Sequence, residues 1–227
     1  MTPFEESYYH LILLDPALRK GWLLDNRPAD VSPAHWWFSL IDSAVSDVRH
    51  QHLGFASTRP QADQALAAAL IDWALERPFP LVIAVQRLAQ LLSIAFDAGQ
   101  MVEELPVNVR PDAIARLALD GFAMTREHAI ARAASLRAKP LTEDDLYQPG
   151  QDPAIFEALT QTDDYRDYHR LFDFDRMLTC LAPFVDLIAD PDLAGELRRW
   201  LAVQPDLDPV PTAIMLLGTA ARSAPPE

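Results

Sequence analysis

Three aspartates, Asp163, Asp164 and Asp167, flank Tyr165 and Arg166 in the order Asp-Asp-x-x-Asp. On a helix the first and third are four residues apart and the second and third are three apart. All three carboxylates can then converge on one hard cation such as magnesium, which takes oxygen ligands and can hold a diphosphate. Arg166 and Arg170 stand close enough in the chain to pair with the same carboxylates. A solvated, ion-paired helix start is therefore the preferred state of this cluster, and no metal or cofactor is assigned to it. His169 is the best placed histidine for proton transfer, with Asp167 to orient it. His50 and His52 are two apart, about 200° round a helix, and cannot readily share an ion. Cys180, the single cysteine, lies in an apolar run and reads as an inert buried thiol.

The Asp163-Asp164-x-x-Asp167 pattern resembles the aspartate-rich motif of isoprenoid synthases. That resemblance covers five residues and implies an all-helical enzyme using magnesium and a diphosphate substrate, with a second acidic motif on a facing helix. Asp186 and Asp190 are a poor substitute for that second motif.

The elements that carry these residues follow from apolar spacing. Three-four periodicity recurs almost everywhere and two-residue alternation almost nowhere, which predicts an all-α fold: a compact antiparallel bundle of about eight to ten helices, with stacked helical hairpins as a variant. Ser32 and Pro33 open a helix running to about Leu53, with Trp37, Ile41, Ala44 and Val48 inward and Trp36 and Leu40 on the same side. Two of Trp36, Trp37 and Phe38 are expected to be buried and the third partly exposed. The next helix follows Ser57 or Thr58 and stops by Pro78, and a central, strongly apolar one spans Leu81 to Met101. Residues Asp112 to Leu136 read as one long helix or two, with Gly121 as the weak point. An irregular connection covers Lys139 to Pro153, and Pro183 kinks or divides the helical segment whose face runs through Leu171, Phe174, Leu178, Leu181, Val185 and Ile188. Asp beside Pro recurs at Asp15, Asp112, Asp152, Asp190 and Asp208, which suits helix N-termini. The segment from Pro209 to Ala221 closes the chain. One domain over 1–227 is expected, with a division into 1–138 and 152–227 as the alternative.

Charge is distributed unevenly. Residues 140–227 hold six Arg, no Lys and seventeen Asp plus Glu, whereas residues 1–139 hold thirteen basic and sixteen acidic residues. Such a field repels nucleic acid and anionic lipid and steers a basic protein inward. The residues assigned to partner binding are Glu143, Asp144, Asp145, Asp163, Asp164, Asp167, Asp173 and Asp175.

There is no Gly-rich phosphate loop, dinucleotide fingerprint or nucleophile with a defined base, so a binding protein is favoured over an enzyme. The composition is similar to that of bacterial immunity proteins and antitoxins, acidic inhibitors of basic toxins. A helical scaffold or adaptor, and a magnesium enzyme acting on a diphosphate, are the alternatives. No secretory signal or membrane span is read from the sequence, and the lone cysteine fits a reducing compartment, so a cytoplasmic location is expected. Oligomeric state is left open.

Overall fold

The computed structural model describes residues 27–52, 60–76, 79–138 and 153–209. Among these every regular element is helical: α1 (Pro33–His52), α2 (Pro60–Leu75), α3 (Leu81–Asp97), α4 (Pro111–Phe122), α5 (Arg126–Ala138), α6 (Pro153–Thr160), α7 (Asp163–Leu181) and α8 (Pro191–Leu207). Short 3-10 turns occupy Val102–Glu104, Val107–Val109 and Ala182–Leu187. Contacts divide the chain into two compact units, one formed by residues 1–118 with 187–189, the other by 119–186 with 190–227.

In the first unit α1, α2 and α3 pack on one another, and the turn Val107–Val109 sits against α2 and α3. Helix α1 starts where a cap is available: Ser32 Oγ accepts the His35 N–H at 3.3 Å, and Pro33 supplies a pre-set φ with no amide to satisfy. Of its expected stripe Trp37, Leu40, Ile41, Ala44 and Val48 are buried, and Trp36 is not. Only Trp37 of the aromatic triplet is fully buried. Trp36 and Phe38 are both half-buried, and the Phe38 ring lies 4.9 Å from that of Phe79. One helix face cannot take three consecutive side chains, so the two neighbours share the boundary. Helix α3 is heavily buried, with Val85, Leu88, Leu91 and Leu92 all enclosed. Arg87 joins it to α1 through Asp42 at 2.7 Å.

The expected helix Leu81 to Met101 ends four residues early, at Asp97. Gly99 takes φ +77°, the Gln100 amide donates to the Ala95 carbonyl, and the Gly99 amide donates to Phe96. These two bonds form a Schellman cap, and glycine makes the left-handed residue inexpensive.

The second unit is built on α5, α7 and α8, which pack pairwise, with α6 against α7. Its core holds Phe122, Ala129, Ala133, Leu136, Leu171, Phe174, Leu178, Leu197 and Trp200. Phe122 and Phe174 stack face to face at 3.7 Å, and Trp200 meets both edge-on at 5.4 and 4.9 Å. Aromatic pairs of this kind add to the burial of their area.

The segment 112–136 is divided at residues 123–125, beyond Gly121, which stays helical. Ala123 takes φ +51°, and Thr125 then restarts the helix. Its Oγ1 accepts the His128 amide at 3.3 Å and its carbonyl accepts that of Ala129 at 2.9 Å. A capping threonine fixes the break more firmly than a glycine loosens it. After α7, Pro183 converts the α-helix into the 3-10 turn Ala182–Leu187. Asp190 then caps α8, its Oδ1 accepting the Asp192 and Leu193 amides at 3.0 and 3.2 Å. Asp208 closes α8, and the expected segment Pro209 to Ala221 lies beyond the described residues apart from Pro209 itself.

Candidate functional site

The Asp-Asp-x-x-Asp sequence opens α7. Thr162 is its cap, with Oγ1 accepting the Tyr165 amide at 3.2 Å, so Asp163 and Asp164 occupy the first turn, where the helix dipole favours negative charge. Across from them runs α5, whose face toward the core is alanine-rich: Ala129 and Ala133 are fully buried. Small side chains let a neighbouring helix come close. Arg132 stands between them and spreads its guanidinium over two carboxylates of α7, with Nη2 at 2.6 Å from Asp164 Oδ1 and Nε at 2.6 Å from Asp167 Oδ2. Burial alone lowers the Arg132 pKa, but hydrogen bonds to Asp167 and Asp164, with their charges, outweigh it and hold the guanidinium above its ordinary value. Planar, charge-assisted pairing of this kind fixes geometry as well as charge.

The arginines expected to neutralise the cluster do something else in part. Arg170 reaches Phe122, the last residue of α4, where its Nε donates to the carbonyl at 2.8 Å and Nη2 donates to the same oxygen. Its guanidinium also lies 5.7 Å from the Phe122 ring centroid. Arg166 does pair with Asp163, at 3.3 Å, and the Asp163 side chain stays 89% exposed. On α5, Arg137 donates to the carbonyls of Asp206 and Asp208 at 3.0 and 2.8 Å. Arg170 and Arg137 thus serve as cationic caps on the carbonyl ends of α4 and α8.

Of the eight acidic residues assigned to partner binding, Glu143, Asp144 and Asp145 lie outside the described residues. The structure brings Asp164 and Asp167 together on Arg132 and leaves Asp163 outward. Asp175 faces α8, where Gln204 Nε2 donates to its Oδ1 at 2.9 Å and to Thr179 Oγ1 at 2.9 Å. Asp173 is half-buried and emerges about 160° round the helix from Asp175. The five described aspartates therefore do not share one face of α7. Among the described residues no three His, Cys, Asp or Glu side chains gather closely enough to hold a metal ion.

His169 sits between aromatic rings, 4.3 Å from Tyr165 and 5.3 Å from Tyr168, while Asp167, the residue expected to orient it, is directed to Arg132. Burial, then the charge of Asp208, pushes the Tyr168 hydroxyl up. Burial also pushes the Cys180 thiol up against a smaller opposing pull from Arg176, which keeps it protonated near neutrality. A solvent-open recess of about 370 Å³ lies where α4 turns into α5, with Met124, Arg126 and Glu196 at its sides and Trp200 among its lining. Glu196 holds Arg199 at 2.6 Å and Arg126 at 3.9 Å, and Asp120 and Glu127 add negative charge to the lining.

Arg132 is the residue that sequence reasoning missed. Its signal is faint: one arginine on the small-residue face of α5, with partners 32 and 35 positions away.

No protein-family profile, curated protein or solved structure matches the chain. No helix among the described residues is long and apolar enough to cross a membrane.

Proposed function

We propose that the protein is an acidic binding protein that engages a basic protein partner and neutralises it, in the manner of an immunity protein or antitoxin. The observation that carries this reading is the charge excess of the second unit. Although Arg126, Arg132 and Arg137 fold into it, its sequence still holds nineteen Asp plus Glu against ten Lys plus Arg. Pairs such as Arg132 with Asp164 and Asp167 cancel locally, but the far field follows the net charge and guides a cationic partner. Asp163, 89% exposed, is one carboxylate that can meet it.

The test is recovery of the protein with its partner from its native cell at low and at high salt, followed by association kinetics with the purified partner. A basic partner whose association rate falls steeply with ionic strength is the expected result. The Debye length shrinks to about 8 Å at physiological salt, so long-range attraction weakens while close contacts persist. A neutral or acidic partner, bound at a rate indifferent to salt, favours the adaptor alternative.

A further inference from the structure

The large apolar side chains most exposed among the described residues belong to the first unit: Val107 at 71%, Met101 at 63% and Leu187 at 42%. Two of them stand on one short connection, between α3 and α4, and that connection is braced along its length. The Schellman cap at Gly99 sets its exit from α3. Glu104 Oε2 accepts the Met101 amide at 3.0 Å. Arg110 folds back to donate to the carbonyls of Leu105 and Glu103, at 3.4 and 3.1 Å. Asn108 Nδ2 donates to the Ala68 carbonyl of α2 at 3.0 Å. Leu105 and Val109 are buried as pins beneath. Met101 and Val107 are therefore presented to water by a backbone whose hydrogen bonds hold it in place.

The charge along the connection is predominantly negative, three carboxylates against the one guanidinium of Arg110. From Leu88 to Val109 the sequence has no Lys or Arg and carries Asp97, Glu103 and Glu104, all exposed. The nearest cation in sequence, Arg110, has its guanidinium turned onto the loop's own carbonyls.

We infer that the connection Met101–Val107 is a docking face for a protein surface in which an apolar pocket is ringed by Lys or Arg. This deepens the function proposed above and rests on its premise that the partner is cationic. Each feature answers one cost of association. Pre-formed backbone hydrogen bonds remove the cost of ordering the loop. Methionine adapts its shape to an apolar pocket, and valine adds rigid area beside it. The three carboxylates favour a basic rim and disfavour an acidic one.

The probe is a short amphipathic peptide of alternating Leu and Lys, with a twin in which Gln replaces Lys. It is titrated at low salt into the full chain labelled with ¹³C at Met and Val methyls. The Lys peptide is expected to shift the Met101 and Val107 methyls and to bind at least about ten-fold more weakly to Met101→Ser/Val107→Ser, the loss typical of interface anchors. The Gln twin and the Asp97→Asn/Glu103→Gln variant are expected to weaken binding separately. All four side chains are exposed, so the variants keep the fold, which circular dichroism checks. Equal binding by wild type and the double Ser variant overturns the docking face. If Asp163→Lys/Asp173→Lys abolishes that binding, the acidic second unit is the contact and the proposed function stands without the loop. If neither peptide binds the wild type, both are overturned.

Discussion

Arg132 Nε on α5 donates to Asp167 Oδ2 on α7 at 2.6 Å, and this contact decides what the aspartate motif can do. The same guanidinium holds Asp164, so two of the three carboxylates that could have met a cation are spent on a helix-to-helix tie. Their side chains are 22 to 33% exposed, between a surface ion pair and a buried one. Arg132→Ala is expected to cost about 1 to 2 kcal/mol, the range between exposed pairs and charged hydrogen bonds. Asp167→Ala is expected to cost less in the Arg132→Ala background than alone, and a double-mutant cycle by urea unfolding measures the coupling.

Asp163 is the control. The spacing alone implies that Asp163 and Asp167 are equivalent surface carboxylates whose joint removal leaves stability unchanged. With Asp163 turned to solvent and Asp167 on Arg132, Asp163→Ala is expected to stay within about 0.5 kcal/mol of wild type while Asp167→Ala does not. Equal midpoints for the two variants would refute the tie.

Local signals read well in this sequence and remote ones did not. Ser32-Pro33 and Asp190-Pro191 mark the helix starts that the structure shows, because a cap acts within one turn. The apolar stripe predicts too long an α3 because Leu91, Leu92, Ala95 and Phe96 continue it toward Gly99, whose positive φ stops the helix. The sequence points to Gly121 as the division between α4 and α5, yet the chain turns at Ala123, a residue with no special claim on that conformation. Among the candidate site residues, the carboxylates and their place at a helix start were legible. Their partner on another helix was not, since nothing within a turn of Asp167 points to Arg132.

Ala123 adopts φ +51°, a conformation that costs a residue with a Cβ roughly 1 kcal/mol. Ala123→Gly removes that strain and adds some freedom to the unfolded chain. It is expected to stabilise by about 0.5 kcal/mol. A β-branched residue there is expected to destabilise, and thermal unfolding of Ala123→Gly beside Ala123→Val checks both signs.

Leu88 is fully enclosed at the middle of α3. Leu88→Ala removes buried methyl groups and leaves a cavity among packed helices, for an expected loss of about 2 to 5 kcal/mol. An unchanged denaturation midpoint would show that the core of the first unit lies elsewhere.

For Cys180 the expected behaviour is slow chemistry. Burial raises its thiol pKa more than Arg176 lowers it, so the thiolate fraction at neutral pH falls below that of an ordinary cysteine. Its rate with a disulfide reagent in the folded protein should lie below that of a small thiol. The rate should keep rising with pH beyond the point where the small thiol levels off. A rate that levels off at lower pH than the small thiol would mark an activated cysteine.

Magnesium separates the binding reading from the diphosphate reading most directly. For a cation to take Asp163, Asp164 and Asp167 together, Arg132 has to leave Asp164 and Asp167, and Arg166 has to leave Asp163. Displacing a guanidinium held by two short hydrogen bonds costs more than coordination by the three carboxylates returns, because magnesium dehydrates reluctantly. Calorimetric titration of the wild type is therefore expected to show no tight site, with or without inorganic diphosphate. In Arg132→Ala the two freed carboxylates are expected to bind magnesium weakly, in the millimolar range, and Asp167→Asn should remove that heat. Micromolar binding to the wild type that Asp163→Ala abolishes would instead mean that the motif opens to a metal, and it would put the magnesium enzyme ahead of the inhibitor.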